Sequence, residues 1–317
     1  MEGAAGRTTD LIGNIEKVIV GKREVVEHAL ITFLSGGHLL IEDAPGLGKT
    51  MLARAIAKSV GVKFRRIQFT PDLLPSDITG VSIYNQKSAE FEFRHGPVFT
   101  NILLADEINR ATPRTQSSLL ECMEEAQVTA DGITYALGEP FFVIATQNPI
   151  ELHGTYPLPE AQLDRFLMKI SVGYPSTEEE IHIMNMQTKD HPIHSIGTVW
   201  AAADVDTART AVRNVYIDDV VKRYIVEVVK RTRNYPDVIL GASPRGCLAL
   251  MRASQAMAFI RGKDYVDPVF IKLLAKPILC HRILLSPQAR MSGVTPERVV
   301  EEILSDTEAP VGVGYGR

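Results

Sequence analysis

Ile41-Glu42-Asp43-Ala44-Pro45-Gly46-Leu47-Gly48-Lys49-Thr50 is the stretch that decides how this chain reads. An apolar strand, His38 to Ile41, runs into it, and a helix from Lys49 to about Val60 leaves it. A glycine-bearing loop between strand and helix is what phosphate binding needs. Gly46 and Gly48 let the backbone bend so that successive N–H groups, from Ala44 to Met51, turn inward around an anion. The positive end of the new helix faces the same point. Lys49 is placed to reach the β- and γ-phosphates, and the Thr50 hydroxyl to bind Mg²⁺. Asp43 stands where the general pattern has its first glycine. An acid is repelled by phosphate, so its side chain is expected to point away.

Outward from this loop the chain alternates. Lys63–Phe69, Asn101–Ala105, Pro140–Thr146 and Leu167–Val172 read as further strands, several of them continuous apolar runs. Periodic segments between them read as helices, which gives an α/β fold with a parallel sheet flanked by helices. In such sheets ligands collect at the carboxyl ends of strands. Asp106 and Glu107 end one strand, so they fall near the phosphate loop. Alternation sends their side chains apart, which suits Asp106 as the Mg²⁺ holder and Glu107 as the base that orients and deprotonates water. Asn148, following the strand that ends at Thr146, is placed to hydrogen-bond the γ-phosphate or its water.

Beyond Tyr174-Pro175-Ser176 the texture changes to helices with almost no strand signal: Thr177–Gln187, Asp218–Arg233, Ser243–Arg261, Asp267–Leu279 and Thr295–Leu304. The division is residues 1–172 for the nucleotide domain and 173–317 for an all-helical lid, with a Gly-rich tail from Val311 expected to fray. Two hairpins interrupt the first domain. One lies within an insert of about residues 70–97, as Gly80–Asn85 and Glu90–Arg94; the other, Gln127–Ala130 and Ile133–Leu137, turns at Asp131-Gly132 within about 127–138.

Composition bounds the partners. Of 317 residues, 45% are hydrophobic and 23% charged, which excludes a disordered or fibrous chain. Lys+Arg of 34 against Asp+Glu of 38 gives −4, so a broad grip on nucleic acid or anionic membrane is disfavoured. The hairpin tips carry one Lys87 and one Asp131 and no stacking residue, which makes nucleic acid an unexpected partner. Cys122, Cys247 and Cys280 have no metal or disulfide spacing. No apolar run is long enough to span a bilayer, and MEGAAGRTTD has no signal pattern, so a cytoplasmic location is expected.

The motifs carry a resemblance. The loop, LLADEINRATPRTQSSLLECMEEAQVT (Leu103–Thr129), FFVIATQNPIELHGTYPLPEAQLDRFL (Phe141–Leu167), GASPRGCLALMRASQAMA (Gly241–Ala258) and HRI (His281–Ile283) together resemble the MoxR family of AAA+ ATPases, over about Val20 to Ile283. His153 stands where that family has a more acidic or polar residue. The resemblance implies a P-loop NTPase fold and a homo-oligomeric ring, expected to be hexameric, with ATP between subunits. It also implies ATP-driven remodelling or maturation of protein partners, among them proteins with von Willebrand factor A domains. By the resemblance Val20 and Gly21 lie against the adenine, Asn148 is the polar sensor, Arg165 the arginine finger and Arg245 the second sensor. It also makes the hairpins an insert in the second helix and a pre-sensor hairpin. Independently, Ser243 and Pro244 start a helix well, and Arg245 in its first turn opposes the dipole unless an anion sits nearby. Arg114 repeats this layout after Thr112-Pro113, and with Arg110 is expected at a subunit boundary. Three other readings remain open: a nucleotide-dependent scaffold without hydrolysis, a DNA motor, and a subunit of a metal chelatase.

Overall fold

The computed structural model describes residues 2–149, 154–188 and 190–310, the first five of these by backbone alone. His153 and the tail from Val311 lie outside the described residues. Two helices, α1 (Glu2–Glu16) and α2 (Arg23–Leu34), lead into β1 (Leu39–Glu42) and α3 (Lys49–Ser59). There follow β2 (Phe64–Gln68), α4 (Pro75–Thr79), the hairpin β3 (Gly80–Asn85) and β4 (Glu90–His95), β5 (Ile102–Asp106) and α5 (Pro113–Glu125). The second hairpin, β6 (Gln127–Ala130) and β7 (Ile133–Ala136), precedes β8 (Phe142–Gln147), α6 (Glu160–Leu163) and β9 (Met168–Ile170). The five-stranded parallel sheet has the order β2-β5-β8-β1-β9. The chain thus forms the expected α/β domain with its parallel sheet flanked by helices.

Strand alternation divides the core between the two faces of the sheet. Leu39, Ile41, Ile102, Leu104, Phe142 and Ile144 pack on one side, and Leu40, Leu103, Ala105, Val143 and Ala145 on the other. The first face continues without a break into the lid through Leu250, Phe259 and Leu274. Sheet and lid therefore share one core.

The lid holds α7 (Thr177–Met186), α8 (Ala202–Arg213), α9 (Asp219–Arg233), α10 (Pro244–Ile260), α11 (Pro268–Leu279), α12 (Pro287–Met291) and α13 (Pro296–Asp306). It is not wholly helical. β10 (Val238–Leu240) pairs antiparallel with β11 (Leu284–Leu285). Two or three residues carry too little periodicity to show in sequence.

The hairpin turn at Asp131-Gly132 has positive φ at both residues, as the Asp-Gly pair dictates. The two hairpins touch: Phe93 stacks on Tyr135 with centroids 4.5 Å apart, and the Ser82 hydroxyl donates to the Asp131 carboxylate. Flanking the first tip, Tyr84 and Phe91 form an exposed edge-to-face pair. The sequence reading of a tip without aromatics holds only for the four turn residues.

His38, at the start of β1, ties three elements. Its Nδ1 accepts the Val143 N–H at 3.0 Å, which leaves Nε2 to donate to the Met123 carbonyl at 2.9 Å. Burial pushes this imidazole down to about 4. The unfolded chain, near 6.5, binds the proton first. The contribution of His38 is thus complete above about pH 6.5 and is lost as pH falls towards 4. Between pH 7 and pH 5 the loss is about 2 kcal/mol. A urea midpoint that drops over this range, and drops less in His38→Gln, is the expected result.

Candidate functional site

The cradle forms because β1 stops at Glu42 and α3 starts at Lys49. Gly46 and Gly48 lie in the left-handed region at φ 87° and 82°, with open space where a Cβ would stand. Any other residue would be strained there. Pro45, Gly46, Gly48, Lys49, Thr50 and Met51 line one cavity, together with Asp106, Glu107 and Asn148 from the ends of β5 and β8. Sequence-distant residues named for phosphate, metal and water chemistry are thus in one place. Ala44 is absent from that lining, and its carbonyl and that of Asp43 take the Lys49 ammonium at 3.0 and 2.7 Å. Burial pulls Lys49 below the ordinary lysine value, against the opposing pull of Asp43, Asp106 and Glu107.

Asp43 points away from the cradle, as repulsion requires. Its Oδ2 accepts the Val172 and Gly173 N–H groups at 2.6 and 2.8 Å and the Ser171 hydroxyl at 3.0 Å. Burial alone would raise this carboxyl, but the bonds from Gly173, Ser171, Val172 and Ala44 outweigh it and hold it below the usual range. Asp43 anchors the linker to the lid.

Thr146 on β8 orients the acidic pair. Its hydroxyl donates to Asp106 Oδ1 at 2.6 Å and accepts the Glu107 N–H at 2.8 Å. The other Asp106 oxygen takes the Arg66 guanidinium at 2.6 Å. Glu107 has a left-handed backbone, φ 56°, and its Oε2 accepts from Gln68 at 2.7 Å and from Arg110 at 3.0 Å. Sequence reasoning missed Arg66, Gln68 and Thr146. Gln68 is in register with Asp106 through the β2–β5 pairing, but no local signal announces which strands pair. Arg110 pairs with Glu107 within this chain.

Beside the cradle a second cavity shares Gly46, Gly48 and Met51 and extends over Val18, Ile19, Val20 and Leu47. Its far wall is Ile183, Met186, Gln187 and His191, from α7 and the turn after it. Those four residues were also missed, because α7 reaches this wall only through tertiary packing. Val20 lines it, and Gly21 lines the neighbouring hollow, where a Cβ would meet the Glu179 carboxylate.

Arg165 and Arg245 lie elsewhere. They share a cavity with Gly36, Gly37 and His38, at the start of β1, whereas the cradle follows its end. The strand alone separates these by about 13 Å. Glu124, at the end of α5, receives both guanidiniums: Arg165 at 3.3 Å, and Arg245 in a closer contact. This is the anion that offsets Arg245 in the first turn of α10, whose N-cap Ser243 accepts the Arg245 N–H at 3.1 Å. Lys49 and these arginines therefore do not meet within one chain.

Residues 38–168 match the model of the ATPase family associated with various cellular activities (AAA), and residues 230–303 match the AAA lid domain. The chain is 41% identical to Chaperone MoxR1 of Mycobacterium tuberculosis over 98% of its own length and 85% of that protein's. It belongs to the MoxR family of AAA+ ATPases. Protein MoxR of Paracoccus denitrificans is 30% identical, with 92% of this chain and 93% of that one covered. A Bacillus subtilis protein named only as uncharacterised, YeaC, is 55% identical over 95% and 94%. The crystal structure of an inferred ATPase from Cytophaga hutchinsonii superposes with a TM-score of 0.91 at 41% identity, covering 97% and 96%. For a MoxR-family chain the donor set fits a nucleotide with Mg²⁺. Inward-facing glycine backbone and Lys49 suit phosphate, and the Thr50 hydroxyl and Asp106 carboxylate are the hard oxygen donors that Mg²⁺ prefers. Among the described residues no helix is long and apolar enough to cross a membrane.

Proposed function

We propose that this chain hydrolyses ATP as part of a homo-oligomeric ring, expected to be a hexamer, and uses the energy to remodel or mature partner proteins. The observation that carries this reading is the placement of cradle and arginines at opposite ends of β1. One chain holds two incomplete halves, and a neighbour in a ring would complete both. Lys49 and the cradle amides bind the β- and γ-phosphates. Mg²⁺, held by Thr50 and Asp106, would neutralise charge on the triphosphate. Glu107 takes the proton of the attacking water, and Asn148 orients that water or the γ-phosphate. Gln68 and Arg110 both bond Oε2 of Glu107, so Oε1 is the oxygen that meets water. Arg165 and Arg245 of the next subunit stabilise the transferred phosphoryl group.

The remodelling role draws on the mycobacterial relative being named a chaperone. Partners with von Willebrand factor A domains follow from family resemblance alone. Steady-state phosphate release with ATP and Mg²⁺ tests the enzymatic part. The wild-type chain should turn over. Lys49→Ala should lose about 10- to 100-fold in ATP affinity, the value of a charge-assisted bond to phosphate. ATP binding with no phosphate release at any chain concentration would make this a nucleotide-dependent scaffold instead.

A further inference from the structure

Arg282, from the His281–Ile283 motif, takes no part in the chemistry above, yet its side chain is only 3% exposed. It sits just past α11, and its guanidinium donates to the segment carrying Arg165 as well as to the Ile278 carbonyl of that helix. Nε reaches Asp164 Oδ1 at 2.7 Å, and the terminal nitrogens reach the carbonyls of Phe166 at 2.6 Å, Asp164 at 3.3 Å and Leu167 at 3.3 Å. Both peptide neighbours of Arg165 are thereby gripped from the lid. The other Asp164 oxygen accepts the Ser243 hydroxyl at 2.8 Å, and that hydroxyl caps the helix carrying Arg245. One carboxylate fixes the backbones behind both arginines.

A buried ion pair is a poor way to add stability, because desolvation consumes most of the attraction. Its better-attested use is to set register. Here the register it sets is between two half-exposed arginines that converge on Glu124. We propose that Asp164 and Arg282 are positioning residues that join Arg165 and Arg245 into one two-pronged unit, which receives the phosphate oxygens of a neighbouring subunit's nucleotide as it here receives the single Glu124 carboxylate. The proposal rests on the trans-acting reading given above. It also implies that lid and sheet of one subunit move together at this junction, and that motion during turnover falls between subunits.

The test uses Arg282→Met, which keeps the volume and removes the grip, with Ser243→Ala as a milder cut of the same link should the first not fold. ATP binding at the variant's own cradle should stay within about twofold, while kcat drops about 100-fold for Arg282→Met, the scale of an ångström-sized misplacement, and about 10-fold for Ser243→Ala. A general loss of structure would also lower kcat, so each variant is mixed nucleotide-free with Glu107→Gln before ATP is added. In mixed rings the variant's intact cradle meets the partner's intact arginines at roughly a quarter of interfaces, so activity should return to about that fraction of wild type. Arg165→Ala mixed with Glu107→Gln is the control for the trans-acting reading. Recovery in the control but not with either clamp variant overturns the clamp alone. No recovery in the control overturns the trans reading and the clamp with it. Full activity of both clamp variants unmixed also overturns the proposal.

Discussion

Arg165→Ala should leave ATP affinity unchanged and lower turnover by about 10³-fold or more, the usual value of an arginine supplied to a transferring phosphoryl group. The two halves of this expectation have separate causes. Affinity is preserved because Arg165 lines a cavity at the start of β1 and makes no contact with its own cradle at the other end. Turnover is lost because charge develops on the γ-phosphoryl oxygens only as the bond breaks, and a missing guanidinium is felt there alone. Fold should be intact: Arg165 is partly exposed and its recorded ion pair is with Glu124, another partly exposed side chain. Equilibrium titration with a fluorescent ATP analogue, beside steady-state phosphate release, checks both halves. Loss of affinity equal to the loss of turnover would place Arg165 in ground-state binding and remove its assigned role.

Glu107→Gln should reduce turnover by about 10²- to 10⁴-fold and retain bound ATP. The change is nearly isosteric, and the Glu107 N–H bond to Thr146 does not depend on the side chain. What is lost is the ability to take a proton. The left-handed backbone at Glu107 supports a dedicated role, since such strain persists where the surroundings enforce it. Rapid filtration should find ATP, not ADP, on the variant after hours with Mg²⁺. Undiminished phosphate release would show that another group serves as the base.

The parts legible in sequence were those set by local geometry. Gly46 and Gly48 needed only a strand before and a helix after them; Asp131-Gly132 dictated its turn; Ser243-Pro244 dictated a helix start. The seclusion of Asp43 followed from charge alone. The rest depended on long-range packing. Gln68 and Arg66 sit beside Glu107 and Asp106 only because β2 pairs with β5. Glu124 meets Arg165 and Arg245 across separations of 41 and 121 residues, which no periodicity encodes. The wall from Ile183 to His191 depends on how α7 folds back after the linker, a linker held in turn by Asp43. Gly21, which has a left-handed backbone at φ 68°, sits against the Glu179 side chain of α7, a neighbour that only tertiary packing brings to it. The short β10–β11 ribbon in the lid was invisible because its strands lean on each other and not on their own pattern.

The arginine face acquires meaning only if it serves another subunit. The most direct measurement is ATP turnover of Arg165→Ala and Glu107→Gln, each nearly inactive alone, after the two are mixed in equal amounts without nucleotide and then given ATP and Mg²⁺. Sites on separate subunits predict recovery to roughly a quarter of the wild-type rate. A mixture no more active than its two components would contradict the account.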